Sequence, residues 1–417
     1  MRNMLLLFLV FITTASVYSQ DTIQHIEKNR KNAASQLNKP YVILISADGF
    51  RHDYAEKFNA QNLLRLSAGG VRAESMIPAF PSKTFPNHYS IATGLYPAHH
   101  GIVHNEFYDR KRKDTYKISK RSAVEDASWY SGTPIWVLAE KQEMVTASYH
   151  FVGTEAPIQH TYPTYWYKFN DQTDINYRID KVIDWLQLPE AVRPHFISFY
   201  MSEVDHAGHR FGPDAPETDS AVQFVDRTIG RLTSKVQVLG LPVNFIFLAD
   251  HGMTAVDTVS GIDISRLIDT NRFIVRGGST SLHLYARQAK YIIPTYQLLK
   301  SQENGFKVFL RDDIPAKWHY AKTDDVYNRI GDILITVNHP KVFSNNNGRI
   351  WPGEHGFDPA IKDMQAVFYS WGHQIKDGIK IPPFGNIHVY PLICQLLGLQ
   401  ITEKIDGDPK TLKEIVK

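Results

Sequence analysis

Three apolar, strand-like runs in this chain each lead to an aspartate. One run ends at Asp48, another leads through a short polar link to Asp205, and a third ends at Asp250 with His251 directly after it. Short continuous apolar runs are typical of parallel strands that helices cover on both faces. Ligands of such sheets bind at the carboxyl ends of the strands, so we expect the three carboxylates to meet there. Because neighbouring carboxylates repel one another, their convergence predicts a metal cation between them.

The order of strand-like and helix-like segments predicts an α/β fold with a smaller inserted lobe. The two kinds of segment alternate from residue 39 to about residue 257, which indicates a mostly parallel sheet. Short β-rich pieces and one helix candidate fill residues 258 to about 347, and we interpret this stretch as an inserted α+β lobe. The sheet pattern returns at residues 364–369, and residues 389–397 predict a final helix. For the polar residues 21–38 we predict a loosely attached leading helix.

The N-terminal residues are typical of a secretory signal. Arg2 precedes an apolar run over residues 4–12, and tolerated residues lie before a cleavage site near Gln20. We therefore expect a signal peptide at residues 1–19 and a catalytic domain at residues 20–417 whose mature form has no transmembrane span. An uncleaved membrane anchor is the alternative. Because the single cysteine, Cys394, cannot form an intrachain disulfide, we expect a periplasmic or secreted bacterial protein.

The balance of charges argues against a stable complex with nucleic acid. Lysine and arginine together number 46, and aspartate and glutamate 43, which gives a formal net charge of +3. A basic run at residues 110–113 is flanked by aspartates, and we interpret it as a solvated loop. The expected partner is a small molecule, and the oligomeric state stays open.

Histidines accompany the carboxylates at the predicted strand ends. His209 lies four residues after Asp205, and His251 directly follows Asp250. Glycines flank His355 at positions 353 and 356, which allows the backbone to approach a site closely. Imidazole with carboxylate suits Zn²⁺, with Mn²⁺ and Fe as alternatives. Three aspartates and three histidines exceed one tetrahedral site but suit two ions, the usual arrangement for phosphoryl transfer. Any single one of the 18 histidines is more readily explained as structural, so the two pairings with aspartate favour the metal site.

The segment around Thr84 has the pattern of a helix N-terminus. Pro86 and Gly94 are expected to mark the start and the end of a helix, so that Thr84 lies just ahead of it. Free backbone N–H groups at such a position favour a phosphate, and a metal-ligated hydroxyl there could attack phosphorus. The alternative is that Thr84 only caps the helix.

Taken together, seven segments resemble the nucleotide pyrophosphatase/phosphodiesterase family of the alkaline phosphatase superfamily. They recur in the order of that family, and they are residues 47–51, 81–88, 94–102, 154–158, 205–209, 249–253 and 353–356. The resemblance covers nearly the whole chain after residue 47. It implies an alkaline-phosphatase-like fold, with a mixed, mostly parallel sheet flanked by helices.

The resemblance implies two Zn²⁺ ions per chain and a nucleophile. The ligands it implies for one ion are Asp48, Thr84, Asp250 and His251. Those it implies for the other ion are Asp205, His209 and His355. Thr84 would form a covalent phospho-threonine that water then hydrolyses.

The resemblance also implies residues that bind the substrate. Asn105 matches an asparagine that donates to a phosphoryl oxygen, and Phe85 matches an aromatic residue that contacts a nucleotide base. The alternative for Phe85 is a core residue or a helix staple. A second stacking ring is expected from Tyr165 or Trp166, with Tyr167 as a further candidate. The sequence departs from the family at residues 151–153, where Trp-Pro-Gly is usual, and at residue 206, where a small or polar residue is more common than histidine.

These observations predict a zinc-dependent phosphodiesterase or nucleotide pyrophosphatase. The enzyme alternatives on the same metal site are a phosphomonoesterase and a diesterase for lipids or phosphonates. The alternative without activity is a ligand-binding homologue, but no predicted ligand is missing from the sequence. The sequence argues against a sulfatase, because Thr84 offers no cysteine to oxidise and no arginine follows in the expected pattern.

Overall fold

The computed structural model describes residues 23–344 and 348–417. The predicted signal peptide at residues 1–19 therefore lies outside the described residues. Across the two described ranges, no helix is both long enough and apolar enough to cross a membrane.

Strands in the described ranges form one large sheet and several small ones. In chain order they are β1 (His25–Ile26), β2 (Tyr41–Ala47), β3 (Val71–Ala73), β4 (Met76–Ile77), β5 (Glu106–Asp109), β6 (Asp114–Lys117), β7 (Thr146–Tyr149), β8 (Tyr165–Tyr167), β9 (Phe196–Met201), β10 (Val243–Leu248), β11 (Thr254–Ala255), β12 (Phe273–Gly277), β13 (Ser281–Ala286), β14 (Phe306–Leu310), β15 (Ile333–Val337), β16 (Gly353–Glu354), β17 (Phe368–Gly372), β18 (Ile379–Ile381) and β19 (Phe384–Gly385). The large sheet has nine strands in the order β1-β8-β7-β9-β2-β10-β17-β3-β18.

The centre of the large sheet is parallel, as the apolar runs predict. Strands β8, β7, β9, β2 and β10 run parallel to one another, whereas β1 pairs antiparallel with β8 and β17 pairs antiparallel with β10. Strand β2 pairs with β9 up to Ala47 and Met201, and with β10 up to Ser46 and Leu248. The segments that follow these three strands therefore leave one edge of the sheet side by side.

Helices cover the large sheet in two groups. The helices are α1 (Tyr54–Lys57), α2 (Gln61–Ala68), α3 (Thr84–Thr93), α4 (Pro97–His100), α5 (Arg121–Val124), α6 (Ile135–Lys141), α7 (Ile175–Leu186), α8 (Glu203–Phe211), α9 (Pro216–Gln237), α10 (Ile292–Ser301) and α11 (Val389–Leu397). Helices α2, α7 and α8 contact α9, while α4 and α11 contact α3 and α6 contacts α11. Every residue of β2 is buried, as expected for a strand that is covered on both faces.

Helix α9 shows how the sequence determines a covering helix. Pro216 stands in its first turn and Lys235 in its last turn, which suits both the missing N–H of proline and the helix dipole. Val222, Val225 and Ile229 recur at helical spacing and are fully buried.

A second, four-stranded sheet lies within the range predicted for the inserted lobe. Its order is β12-β13-β15-β14, and all its pairs are antiparallel. It has its own apolar cluster, with Leu284, Val308 and Ile333 at its centre, and α10 packs against β14. The helix predicted near residue 295 is α10, and the predicted final helix is α11.

The prediction of a leading helix is wrong for the described part of that segment. Residues 25 and 26 form β1, which pairs antiparallel with β8. Arg30 then forms an ion pair with the buried Glu140 at 3.3 Å, and the Asn32 side chain donates to two backbone carbonyls. Edge pairing and specific polar contacts thus fix a segment whose polarity alone indicated loose attachment.

Candidate active site

The predicted metal ligands come from the carboxyl ends of β2, β9 and β10 and from the segment after β16. Asp48 follows β2 directly, and Asp250 lies two residues beyond β10. After β9 the chain turns at once into α8, so Asp205 lies in the first turn of that helix and His209 one turn further on. Residues four apart lie on the same helix face, and Asp205 Oδ1 is 3.5 Å from His209 Nε2.

The structure brings all the predicted ligands into one connected cluster. His251 Nε2 lies 3.0 Å from Asp250 Oδ2 and 3.4 Å from Asp48 Oδ1. His355 Nε2 lies 3.8 Å from Asp205 Oδ1, and the rings of His251 and His355 stack with centroids 3.6 Å apart. The donor atoms of Asp48, Asp250 and His251 all lie within 4.8 Å of one another, as do those of Asp205, His251 and His355.

Backbone carbonyls determine the orientation and tautomer of the three histidines. In each ring Nδ1–H donates to a carbonyl oxygen, which turns Nε2 towards the carboxylates: His209 to Gly353 at 2.9 Å, His251 to Gly252 at 2.9 Å and His355 to Ser82 at 2.7 Å. Histidines that bind metals are usually held in this way by a hydrogen bond on the second nitrogen.

The carboxylates leave oxygen atoms without hydrogen bonds. Asp48 Oδ1, Asp205 Oδ1 and Asp250 Oδ2 are buried and have no hydrogen-bond partner. Buried charged oxygens without partners are strongly unfavourable unless a cation compensates them. Three such oxygens, beside three imidazole Nε2 atoms, fit a site that binds metal cations.

The pKa values of the two buried aspartates Asp48 and Asp250 are shifted in opposite directions. Burial raises the pKa of Asp48 well above its usual range, and the nearby Asp250 and Asp205 raise it further, although Tyr200 donates to Asp48 Oδ2 at 2.5 Å. Burial also raises the pKa of Asp250, but His251 and His88 outweigh it and the net pKa falls. A bound cation would favour the ionised form of every carboxylate here.

Thr84 lies at the cluster rather than at a cap. It is the first residue of α3, which begins two residues earlier than predicted, and Lys83 holds the N-cap position without a side-chain hydrogen bond. The Thr84 hydroxyl lies 3.3 Å from His251 Nε2. Asn105 is adjacent, because its Oδ1 accepts from the backbone N–H of Phe85 at 3.0 Å. That bond leaves the amide N–H groups of Asn105 as donors.

Two buried side chains support the cluster from behind, and sequence reasoning missed both. His88 Nδ1 is 3.3 Å from Asp250 Oδ2, and its Nε2 is 2.8 Å from Ser46 Oγ. Lys83 Nζ donates to Glu354 Oε1 at 3.1 Å and to the carbonyl of His355 at 2.8 Å. The available signal was position, since His88 and Lys83 flank Thr84 in the same motif.

Glu354, which precedes His355, also supports the cluster. Burial raises the pKa of its carboxyl, but Lys83 and His209 outweigh burial and bring the pKa to about 2. The donor atoms of His209, Glu354 and His355 lie within 4.8 Å of one another. Glu354 therefore stays ionised beside the two histidines and holds the backbone of His355 through its N–H at 2.9 Å.

A cavity of about 450 Å³ opens beside Thr84. Three phenylalanine rings, Phe85, Phe151 and Phe169, contribute to its wall. His206, which departs from the family pattern, is exposed and also lines the cavity. The cavity thus connects the predicted metal ligands, which we call the metal cluster, with a surface of flat apolar rings.

Tyr165 and Trp166 do not line this cavity. Both lie in β8, where Trp166 stacks between His25 at 4.1 Å and Tyr162 at 4.7 Å. The ring that reaches the cavity is Phe169, two residues beyond β8 and 39% exposed. The strand-end rule that predicted the aspartates would also have selected Phe169.

Basic side chains near the cavity are held by carboxylates. Arg121 is 3.1 Å from Glu155 and 2.8 Å from Glu125, and Lys168 is 3.0 Å from Glu125. The basic run at residues 110–113 joins β5 and β6. Its Lys111 and Lys113 are exposed, as predicted for a solvated loop, whereas Arg110 lies 2.9 Å from Asp332 of the lobe.

Comparison with known proteins agrees with this geometry. A family model described as type I phosphodiesterase/nucleotide pyrophosphatase matches residues 42–358. Ectonucleotide pyrophosphatase/phosphodiesterase family member 1 of Mus musculus is 33% identical over 398 residues, which cover 92% of this chain and 43% of the relative. Venom phosphodiesterase CdcPDE of Crotalus durissus collilineatus is 33% identical over 390 residues, or 90% of this chain and 46% of the relative. The chain therefore spans less than half the length of these curated relatives.

Solved structures share the fold. Murine ectonucleotide pyrophosphatase/phosphodiesterase 5, as an inactive threonine-to-alanine variant in complex with AMP, has a TM-score of 0.85 at 25% identity, over 91% of this chain and all of that one. The human counterpart has a TM-score of 0.84 at 25% identity. These matches confirm the predicted alkaline-phosphatase-like α/β fold. From the family match, which extends over most of the chain and includes the cluster of three aspartates and three histidines, we conclude that this chain belongs to the type I phosphodiesterase/nucleotide pyrophosphatase family.

Proposed function

We propose that the chain is an exported, zinc-dependent phosphodiesterase or nucleotide pyrophosphatase that works through a phospho-threonine intermediate. The observation that supports this most directly is the position of Thr84. Its hydroxyl lies at the N-terminus of α3, 3.3 Å from His251 Nε2, within a cluster of three aspartates and three histidines.

The donor set divides naturally between two Zn²⁺ ions. Asp48, Thr84, Asp250 and His251 would hold one ion, and Asp205, His209 and His355 would hold the other. When bound, such a pair supplies electrostatic stabilisation of phosphoryl oxygens and lowers the pKa of a coordinated hydroxyl.

The residues of the chain then perform two displacements at phosphorus. The Thr84 hydroxyl gives up its proton to solvent, and its Oγ1 forms a bond to phosphorus while the bond to the leaving oxygen breaks. The leaving oxygen departs with the electron pair and takes up a proton from solvent where its basicity requires one. Asn105 N–H and the backbone N–H of Thr84 at the helix N-terminus donate to a phosphoryl oxygen. Water next attacks the same phosphorus, and the bond to Thr84 breaks to regenerate the hydroxyl. The inactive threonine-to-alanine variant of the murine structure supports this role by analogy.

The cavity favours a phosphodiester with a flat group over a phosphomonoester. Asn105 and the Thr84 backbone are neutral donors, whereas a monoester dianion needs an additional cation against its third charged oxygen. Among the described residues that line the cavity, Arg121 is the one permanent cation, and two glutamates neutralise it. The rings of Phe85 and Phe169 suit a nucleobase, with a stacking energy of about 1–3 kcal/mol for each contact.

The test compares matched substrates on purified protein loaded with zinc. We expect a higher kcat/KM for the p-nitrophenyl ester of thymidine 5′-phosphate than for p-nitrophenyl phosphate, since the leaving group is the same. Methyl p-nitrophenyl phosphate reports diester chemistry without a base, and a dinucleotide and a choline phosphodiester extend the panel. A preference for the monoester would favour the phosphomonoesterase alternative. A choline diester that exceeds every nucleotide would favour the lipid alternative, and a lack of turnover on all substrates would indicate an inactive homologue.

Export is a separate part of the proposal. Its support is the basic residue and apolar run at the N-terminus, together with the names of relatives that are ectoenzymes or venom enzymes. We expect N-terminal sequencing of protein from its native host to begin near Gln20, in the periplasm or the medium. A mature chain that begins at Met1 would contradict cleavage.

A further inference from the structure

Two polar side chains, those of Glu155 and His150, accept hydrogen bonds from the backbone of the segment that contains Phe169. The backbone N–H of Phe169 donates to Glu155 Oε1 at 2.9 Å, and the next backbone N–H, that of Asn170, donates to His150 Nε2 at 3.3 Å. The His150 ring also meets the Phe169 ring edge to face, with centroids 5.3 Å apart and planes inclined at 64°. One imidazole thus contacts both the aromatic ring and the backbone next to it.

The register of the sheet explains this meeting. Strands β7 and β8 are parallel, and Tyr149 at the end of β7 lies beside Tyr167 at the end of β8. His150 is the first residue after β7, so it lies next to the segment that follows β8. Both segments leave the sheet at the edge where ligands of such folds bind.

The backbone of His150 has an unusual conformation. Its φ is 58°, in the left-handed region, which non-glycine residues enter at a cost and in which histidine is more frequent than most. The side chain is only 3% exposed, yet the residue lines the cavity. Burial, with a contribution from Arg178, lowers the pKa of His150 to about 3, so the ring is neutral and Nε2 can accept a hydrogen bond.

We propose that His150 is a positioning residue that holds Phe169 in the cavity wall and thereby determines the affinity for the flat, base-like part of the substrate. The inference rests on the proposed function for the class of substrate, but not for the catalytic step. Burial in a left-handed conformation is consistent with this role, because it directs the imidazole acceptor of His150 to the Asn170 N–H.

The test uses variants that share the backbone cost and differ in the acceptor. In His150→Gln the side-chain oxygen can reach the place of Nε2, whereas His150→Leu offers no acceptor at similar size. The probe is AMP, with its dissociation constant measured by calorimetry on zinc-loaded protein. We expect His150→Leu to raise the dissociation constant of AMP about five- to tenfold, which corresponds to part of the free energy of one base–ring stack. We expect His150→Gln to retain most of the wild-type affinity.

Turnover gives a second readout through the separation of KM from kcat. On the p-nitrophenyl ester of thymidine 5′-phosphate, His150→Leu should raise KM and change kcat much less. The ratio of kcat/KM for this ester to that for methyl p-nitrophenyl phosphate should therefore fall. If His150 acts through Phe169, then His150→Leu should add nothing in a Phe169→Ala background, whereas independent effects would multiply.

The outcomes separate this inference from the proposed function. AMP affinity that is equal in wild type and His150→Leu, multiplicative effects in the double variant, or a wild type without AMP binding would each overturn it. Should His150→Leu fail to fold, His150→Asn takes its place, because asparagine tolerates a left-handed φ but is too short to reach Asn170. A wild type that binds AMP and hydrolyses neither diester would refute the proposed function, while the comparison of AMP affinities would still decide the role of His150.

Discussion

The metal cluster and the aromatic wall of the cavity are built in different ways. The metal cluster lies where β2 and β10 end and where β9 passes into α8, and its histidines are fixed by hydrogen bonds to backbone carbonyls. The aromatic wall comes partly from segments beyond the strands, and its Phe169 ring is 39% exposed. The ends of regular elements thus hold the groups that need a defined geometry, while a loop supplies Phe169, one of the rings proposed to select the substrate.

The two regions also differ in what stabilises them. In the metal cluster, three buried carboxylate oxygens have no hydrogen-bond partner, so a bound cation would stabilise it. The aromatic wall depends on apolar contacts and on the hydrogen bonds of His150 and Glu155. Changes in the metal cluster should therefore affect every substrate, and changes in the wall only those with a flat group.

Removal of metal should have the largest effect. A chelator should reduce turnover of all diesters to background and lower the melting temperature, because the three aspartates then repel one another, and added Zn²⁺ should restore both. Metal analysis of active protein should find about two ions per chain. Phe169→Ala is the matched control and should retain its metal. Full activity with one ion would contradict the two-ion arrangement.

Substitution of Thr84 should come next in size. Thr84→Ala should lower kcat by on the order of 10³-fold or more while AMP binding and most of the metal remain, because only the attacking oxygen is lost. Thr84→Ser keeps a hydroxyl and should retain part of the activity. Mass spectrometry of quenched wild type should detect a phosphate adduct that Thr84→Ala lacks. Near-normal rates in Thr84→Ala would show that water attacks directly.

The rings of the wall should have a smaller and selective effect. Phe85→Ala and Phe169→Ala should each lower kcat/KM for a nucleotide aryl ester about tenfold or more, since one base–ring contact contributes about 1–3 kcal/mol. The methyl aryl diester is the control substrate with the same leaving group. Equal losses on both substrates would mean that the rings support the metal cluster instead.

The difference between the metal cluster and the aromatic wall also explains which parts of the fold and of the site could be predicted from the sequence. Asp48 and Asp250 follow unbroken apolar runs, so the sheet edge and the neighbouring ligands could be inferred from position and chemistry. Tyr165, Trp166 and Phe169 lie in one short aromatic-rich segment of the sequence. Only the pairing of β8 with its neighbouring strands shows that the first two are buried. The role of His150 could not be predicted from the sequence, because neither its left-handed backbone conformation nor its contact with Phe169 has a local sequence signal.

The pH dependence of stability should distinguish the metal cluster in protein without metal. The folded-state pKa of Asp48 lies above its value of about 3.9 in unfolded chains, so its contribution is most favourable below that pH and is lost as pH rises through the folded-state pKa. Without metal, Asp48→Asn should therefore melt at a higher temperature than wild type at pH 7.5. The difference should shrink towards pH 4.5, and Zn²⁺ should reverse it at pH 7.5. Equal melting temperatures at both pH values would show that repulsion around Asp48 is not significant.

The smallest expected change in selectivity tests whether the aromatic wall ends where the structure places it. Tyr165 is buried in β8, where its hydroxyl donates to the carbonyl of Val192 at 3.1 Å and its ring lies 6.3 Å from Trp185. Tyr165→Leu removes both the ring and the hydrogen bond, so the free energy of unfolding should fall by about 2 kcal/mol, measured by denaturant titration. The ratio of kcat/KM for the nucleotide ester to that for the methyl diester should nevertheless stay within about twofold of wild type, since no stacking contact with the base is lost. A tenfold fall in that ratio, like the fall expected for Phe169→Ala, would show that β8 itself contributes to the wall. Substrate selection would then depend on the buried strand as well as on the loop that contains Phe169.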